Sequence, residues 1–225
     1  MNSFTEENYL KAIYNLLEKG DKKISTNSIA GRLSTSPASV TDMLKKLAEK
    51  KLISYEKYKG VSLTSNGKKI AVAIIRKHRL WEFFLVEKLG FKWDEVHDMA
   101  EELEHIKSEK LVESLDKYLE RPRFDPHGDP IPDANGNFYP VQTLPLSSIS
   151  TNEKVTITAV LDHGASFLQY LSKSDLALGQ KIVVKDIQEF DKSMSIGIQG
   201  KNVVLHISHE VASNLLVIKN KTTER

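Results

Sequence analysis

The chain has 225 residues, no cysteine and a formal net charge of +2. The missing sulfur excludes disulfides, thiolate metal clusters and cysteine nucleophiles, while 40% hydrophobic and 28% charged residues give enough apolar material for a packed core. No apolar run approaches the ~20 residues of a membrane span, and residues 1–7 have neither the basic start nor the apolar stretch of a signal peptide, so a cytoplasmic location without membrane contact is expected.

The near-neutral total hides a segregation. Lys and Arg outnumber Asp and Glu 15 to 7 over residues 1–77, are outnumbered 8 to 15 over 78–140, and stand 9 to 8 over 141–225. A basic segment suggests a polyanion partner such as DNA, whose phosphates are neutralised by Lys and Arg with release of counterions. An acidic segment is either a solvated helix face or a cation site.

In chain order, Tyr9, Leu10, Ile13, Leu16 and Leu17 have helical spacing from Thr5 to about residue 19. A short helix follows, capped by Thr26 or Asn27, with Ile29, Ala30 and Leu33 inward. Ser34-Thr35-Ser36-Pro37 turns and caps a further helix over residues 37–50, on which Val40, Met43, Leu44 and Leu47 share a face. The period then changes to two: Ile53 and Tyr55, then Val61 and Leu63 across Lys59-Gly60, predict a β-hairpin. Helix, helix-turn-helix and hairpin in a basic segment form the winged helix-turn-helix pattern. Thr35, Ser36, Pro37, Ala38, Ser39, Thr41 and Asp42 then lie where side chains reach base edges, and Lys45, Lys46, Lys57 and Lys59 where they meet phosphates. The plainer alternative is a small α/β domain whose lysines are a solvated face.

Long helices are predicted over 68–90 and 94–120, and Trp81, Phe83, Phe84, Leu85, Val86 and Leu89 supply apolar surface suited to a dimer interface. Six of the seven prolines fall between Pro122 and Pro145, marking an irregular connector. Beyond Lys154 the pattern is β, at 155–158, 181–184, 195–198 and 203–206, with a short helix at 167–171, which predicts a small barrel-like domain. The fold expected is mainly α with a small β part. It comprises a winged helix-turn-helix over 1–75, a helical metal-binding and dimerisation domain over 76–140, a linker over 141–152, and an SH3-like β-barrel over 153–225.

On one continuous helix at about 100° per residue, Glu101, Glu104 and His105 fall within about 80° of His97, beside an apolar stripe of Met99, Ala100, Leu103 and Ile106. His78 and Glu82, four apart, share a face of the preceding helix. Carboxylates and imidazoles converging without sulfur favour a divalent cation of the harder first-row kind, Mn²⁺ or Fe²⁺. Ordinary i, i+4 surface pairs would produce the same spacing. No His-Glu-x-x-His, Gly-x-Ser-x-Gly or phosphate-cradling glycine loop is present, so no enzymatic activity and no small-molecule substrate are expected. His206 and His209 read as solvent-facing or structural.

Several stretches together resemble the diphtheria-toxin-repressor family of metal-dependent transcriptional regulators, in its long form. They are Tyr9-Leu10-Lys11-Ala12-Ile13-Tyr14, Ser36-Pro37-Ala38-Ser39-Val40-Thr41, Arg76-Lys77-His78-Arg79-Leu80, Val96-His97-Asp98, Glu104-His105 and Pro126-His127-Gly128-Asp129-Pro130-Ile131-Pro132. The resemblance implies a first metal site at Asn8, Glu101, Glu104 and His105, with His78 shared. Asn8 departs from the usual Met or Asp, and Lys11 stands where the short manganese-sensing members have Glu. It implies a second site at Glu82, completed either by His78 and His97 or by Asp125 and His127, with His163 or its neighbour Asp162 contributed by the SH3-like domain. Glu101 occupies a position that is Cys in iron sensors and Glu in manganese sensors, which favours Mn²⁺ over Fe²⁺. The implied protein is a homodimeric repressor of metal-uptake genes with two metal sites per subunit, binding a palindromic double-stranded operator.

Overall fold

A computed structural model of the chain describes residues 2–18, 24–56 and 60–220. They form two compact units, one of residues 1–81, 100–121 and 131–138, the other of residues 82–99, 122–130 and 139–225.

The first unit opens with α1 (Phe4–Glu18), α2 (Thr26–Arg32) and α3 (Pro37–Glu49). A hairpin of β1 (Ile53–Glu56) and β2 (Gly60–Leu63) follows, and then α4 (Ser65–Glu87), of which residues 65–81 belong to this unit. Each early helix begins on a side-chain cap. Ser3 and Glu6 bond each other's backbone N–H groups at the start of α1, Ser25 and Ser28 do so at α2, and Ser36 accepts from the Ser39 amide ahead of Pro37 at α3. The cap of α2 is therefore Ser25, one residue before the predicted pair. Leu10 and Ile13 of α1, Ile29 of α2, and Val40, Leu44 and Leu47 of α3 are fully buried in one cluster. The hairpin pairs Ile53 with Leu63 and Tyr55 with Val61. This is the predicted helix, helix-turn-helix and hairpin order.

The helix predicted from residue 68 starts at Ser65, because the Thr64 hydroxyl accepts from the Gly67 amide. Gly67 lies so close to the chain that an added Cβ would be 1.9 Å from the Leu52 carbonyl oxygen, so no other residue fits there.

The single helix predicted over 94–120 is in fact two, α5 (His97–Leu103) and α6 (Glu109–Tyr118). The chain closes a tight turn at Ile106, whose amide reaches the Leu103 carbonyl, and restarts where the Ser108 hydroxyl accepts from the Leu111 amide. Glu104 and His105 lie in this break, just past the end of α5. Of the predicted apolar surface on α4, Trp81 and Leu85 are buried within the chain, whereas Leu89, just beyond the helix, is 55% exposed.

The second unit is built on β3 (Leu144–Pro145), a single 3₁₀ turn (Leu146–Ser148), β4 (Lys154–Val160), α7 (Ala165–Lys173), β5 (Lys181–Ile187), β6 (Met194–Ile198), β7 (Val204–Ile207), α8 (His209–Asn214) and β8 (Leu215–Lys219). The strands make one antiparallel six-stranded sheet in the order β3-β8-β4-β5-β6-β7. It is an open SH3-like sheet and not the closed barrel of the sequence expectation. Its core takes Val155, Ile157, Ile182, Val184, Ile196 and Val217 from the strands and Leu168 and Leu171 from α7, and also Leu146 and Ile149 from the stretch read as a linker. Ahead of the sheet, Gly128 has φ +89° and lies against β4, where an added Cβ would be 2.1 Å from the Thr158 carbonyl oxygen. The His127 carbonyl accepts from the Val160 amide beside it. That close approach fixes the loop that carries Asp125 and His127. No helix among the described residues is long and apolar enough to cross a membrane.

Candidate metal centres and nucleic-acid interface

Helix α3 buries Val40, Leu44 and Leu47 and therefore turns Ser36, Pro37, Ala38, Ser39, Asp42, Lys45 and Lys46 outward, with Thr35 and Thr41 half-buried. This is the arrangement of a recognition helix presenting its N-terminal end. The Ser36 and Ser39 hydroxyls bond each other at 2.9 Å, the Thr41 hydroxyl donates to the Pro37 carbonyl, and Lys45 pairs with Asp42 at 3.2 Å. Lys46 is engaged differently: its ammonium lies 3.1 Å from Glu6 of α1, and Lys50 reaches the same carboxylate at 2.8 Å. Glu6 is only 1% exposed. Burial pushes its carboxyl up, but Lys50, the Ser3 amide and Lys46 outweigh burial and hold it at about 2. Lys57 and Lys59, predicted phosphate contacts, lie outside the described residues.

The first cluster of acids and imidazoles centres on Glu104, which is fully buried. Its Oε2 accepts from Lys11 Nζ at 2.7 Å and lies 2.6 Å from His78 Nδ1, and its Oε1 lies 3.9 Å from His105 Nε2. Lys11 also bonds Glu101 at 2.5 Å. The other nitrogen of His105 meets Glu7 of α1 at 2.7 Å, and the ring of Phe4 stacks on the imidazole at 4.6 Å. The fold thus brings His78, Glu101, Glu104 and His105 together, and α1 delivers Glu7 and Lys11 to them. Glu7 was not anticipated as a site residue. Its signal was its place one turn before Lys11 on the helix that also carries Asn8. Asn8 Oδ1 and Glu104 Oε1 are both buried without a hydrogen-bond partner among the described residues. Unbonded buried oxygens are costly unless a cation or water meets them, so this donor set fits a divalent ion.

The second cluster lies in the other unit. Glu82, near the end of α4 and 1% exposed, has Oε2 3.6 Å from His127 Nδ1 and Oε1 3.5 Å from His97 Nδ1. Glu82, Asp125 and His127, all buried, offer ligand atoms within 4.8 Å of one another. Asp125 Oδ1 accepts from the amides of His127 and Asp129, which sets the loop, and His127 Nε2 donates to the Trp93 carbonyl at 2.8 Å. That bond fixes the ring so that Nδ1 is the nitrogen turned toward Glu82, at 3.6 Å from its Oε2. Burial alone would depress the His127 pKa, but Glu82, Asp125 and the Trp93 carbonyl together raise it to about 9. His163 stacks on His127 at 4.6 Å with Nε2 3.8 Å from Asp129, and burial lowers its pKa. Asp162 is exposed and accepts from the Gly164 amide. Between the two neighbours, the imidazole is the side chain that faces the cluster.

His206 bonds Ser195 Oγ at 2.9 Å across β6 and β7, and His209 lies 3.4 Å from Ser213.

Comparison with known proteins adds three matches to family models. They are iron dependent repressor, N-terminal DNA binding domain, over residues 2–61; iron dependent repressor, metal binding and dimerisation domain, over 64–133; and FeoA domain, over 144–219. The chain is 38% identical over 128 residues to the iron-dependent repressor IdeR of Mycobacterium leprae, a match covering 57% of this chain and 55% of that protein. It spans about half the length of that curated relative. It is 43% identical over 110 residues to the HTH-type transcriptional regulator MntR of Oceanobacillus iheyensis, covering 48% of this chain and 73% of the other. Among solved structures, a manganese-dependent transcriptional repressor in complex with manganese aligns over 96% of this chain and 100% of its own, with 33% identity and a TM-score of 0.88.

Proposed function

This chain belongs to the family of metal-dependent, DtxR-type transcriptional repressors, and from that premise we propose that it is a homodimeric, Mn²⁺-responsive repressor of metal-uptake genes acting on a palindromic operator in the cytoplasm. The observation that carries the reading is the pair of buried clusters, each of carboxylates and imidazoles without sulfur, in a chain that also presents a recognition helix. His78, Glu101, Glu104 and His105 would hold one ion with help from Glu7 and Asn8, and Glu82, Asp125 and His127 a second, flanked by His97 and His163. Oxygen-rich donors select Mn²⁺ over softer ions, with Fe²⁺ the alternative. A bound cation supplies fixed bonds and charge that favour one arrangement of the protein. A dimer then reads two half-sites, so fixing the arrangement fixes the spacing of its recognition helices.

The α1 helix is built to take part. Glu7 and Lys11 fasten it to the 101–105 segment, while Glu6 fastens it to α3 through Lys46 and Lys50. Operator binding measured by fluorescence anisotropy should therefore require buffered Mn²⁺ or Fe²⁺ and be lost in chelator. Equal affinity in both would overturn the reading.

Two further outcomes are expected. Lys45→Ala should weaken binding to every sequence and reduce the slope of log affinity against log salt by about one. Lys46→Ala should do less, since its ammonium is already held by Glu6. An unreduced slope for Lys45→Ala would mean that Lys45 does not touch phosphate. Because His127 is protonated up to about pH 9, filling the second site at neutral pH must release its proton. Affinity there should rise about tenfold per pH unit up to about pH 9, in step with His127 deprotonation. Titration calorimetry in buffers of different ionisation enthalpy reads that proton, and buffer-independent heats would exclude it.

A further inference from the structure

Lys11 occupies an unusual position. Its ammonium bonds both carboxylates of the first cluster, Glu101 at 2.5 Å and Glu104 at 2.7 Å, and its side chain is 12% exposed. Glu104 is fully buried. A buried carboxylate needs a counter-charge, and here the chain supplies one of its own. A protonated amine has three donors and no lone pair, so Lys11 neutralises these oxygens without being able to serve as a metal ligand. It holds one oxygen of each carboxylate, Glu101 Oε1 and Glu104 Oε2, while Glu104 Oε1 has no hydrogen bond among the described residues, so a divalent ion drawing on both carboxylates meets the ammonium's charge.

We infer that Lys11 is a tethered competitor of the metal at the first site. In the metal-free protein its ammonium bridges Glu101 and Glu104, and an entering divalent ion must displace it, so Lys11 sets the metal concentration at which the site fills. An ammonium and a divalent ion held on the same pair of carboxylates repel one another, so the Lys11 bridge and metal binding oppose each other. The ammonium is released on a flexible four-carbon stem, which lets it leave without unfolding α1. A second consequence concerns α1: without metal it is already bridged to the 101–104 segment, so filling the site exchanges one cationic bridge for another.

The inference rests on the first cluster being a metal site, and the test separates the two claims. Mn²⁺ binding to the full-length chain is followed by electron paramagnetic resonance of the free ion, in a Glu82→Ala background that removes a donor of the second site. Lys11→Met should bind Mn²⁺ at least tenfold more tightly than the parent, and Lys11→Arg, which keeps the charge, should not. Equal or weaker binding by Lys11→Met would overturn the competitor role and leave Lys11 a structural ion pair. No binding by either parent or Lys11→Met would overturn the metal reading of the cluster itself. Because Lys11→Met leaves two carboxylates without their ammonium, acetylation of lysines in the wild-type chain, read by mass spectrometry, gives a second measure. Lys11 should be protected without metal and become reactive when Mn²⁺ is added. Equal protection in both states would overturn the displacement.

Discussion

Glu104→Ala is expected to lower the stability of the first unit by about 3–5 kcal/mol and to abolish Mn²⁺ uptake at the first site, the largest single-residue effect in the molecule. The carboxylate is fully buried and receives Lys11 at 2.7 Å and His78 at 2.6 Å on one oxygen. Truncation leaves the Lys11 ammonium, 12% exposed, with Glu101 but not the buried carboxylate, and takes from the His78 side chain, 11% exposed, its 2.6 Å contact with Glu104. Removing one member of a buried ion pair costs in this range because the survivor keeps its desolvation and loses its partner. Glu104→Gln keeps the shape and one acceptor oxygen, so it should cost less in stability while still weakening the metal site through loss of charge. Scanning calorimetry of the metal-free proteins and Mn²⁺ stoichiometry by paramagnetic resonance check both halves. Near-wild-type melting of Glu104→Ala with one ion still bound at the first site would show that the cluster depends on other residues.

How far the sequence foretold this site depends on which kind of signal each residue carries. Helical and alternating periods are local, so α1 to α4, the hairpin and strands β4 to β7 were all legible. The break between α5 and α6 was not, because the apolar period runs across residues 104–108 without a Gly or Pro to mark the stop, and Ser108 as a cap resembles any surface serine. The helical stripe drawn through His97, Glu101, Glu104 and His105 was consequently idealised: Glu104 and His105 are held by a turn, not by continuing helix. Strand β8 and helix α8 were missed because α8 is a single short element of six residues leading directly into the strand. The roles of Glu6, Glu7 and Lys11 were harder still. Each is an ordinary charged residue on an amphipathic helix until the fold places α3 against one and the 101–105 segment against the others. Only Ser3-x-x-Glu6 left a trace, the spacing of a capping box.

The same adjacency gives the second large prediction. Glu6→Gln is expected to reduce by at least tenfold the gain in operator affinity that metal confers, while leaving metal-independent binding to DNA intact or stronger. Glu6 holds Lys46 and Lys50 of α3 from the first turn of α1. Its neighbour Glu7 holds His105. Consecutive residues of one helix therefore grip α3 and the Glu104–His105 cluster, and a change at the cluster can reach α3 through a single turn of backbone. The amide of Gln keeps the cap on Ser3 but loses the charge that binds two ammonium groups. Lys46 would then be released toward phosphate, which should steepen the salt dependence by up to about one unit. Stability should change by only about 1–2 kcal/mol, since both lysines reach solvent and recover hydration. The pH profile isolates the same carboxylate. Its pKa is depressed to about 2 in the folded chain, so its contribution is fully present above the unfolded value of about 4.5 and is lost as pH falls from there through 2. Glu6→Gln should remove that part of the acid destabilisation, read as melting temperature against pH. A variant that keeps both the wild-type acid profile and the full metal-linked gain would show that α1 does not carry the signal through Glu6.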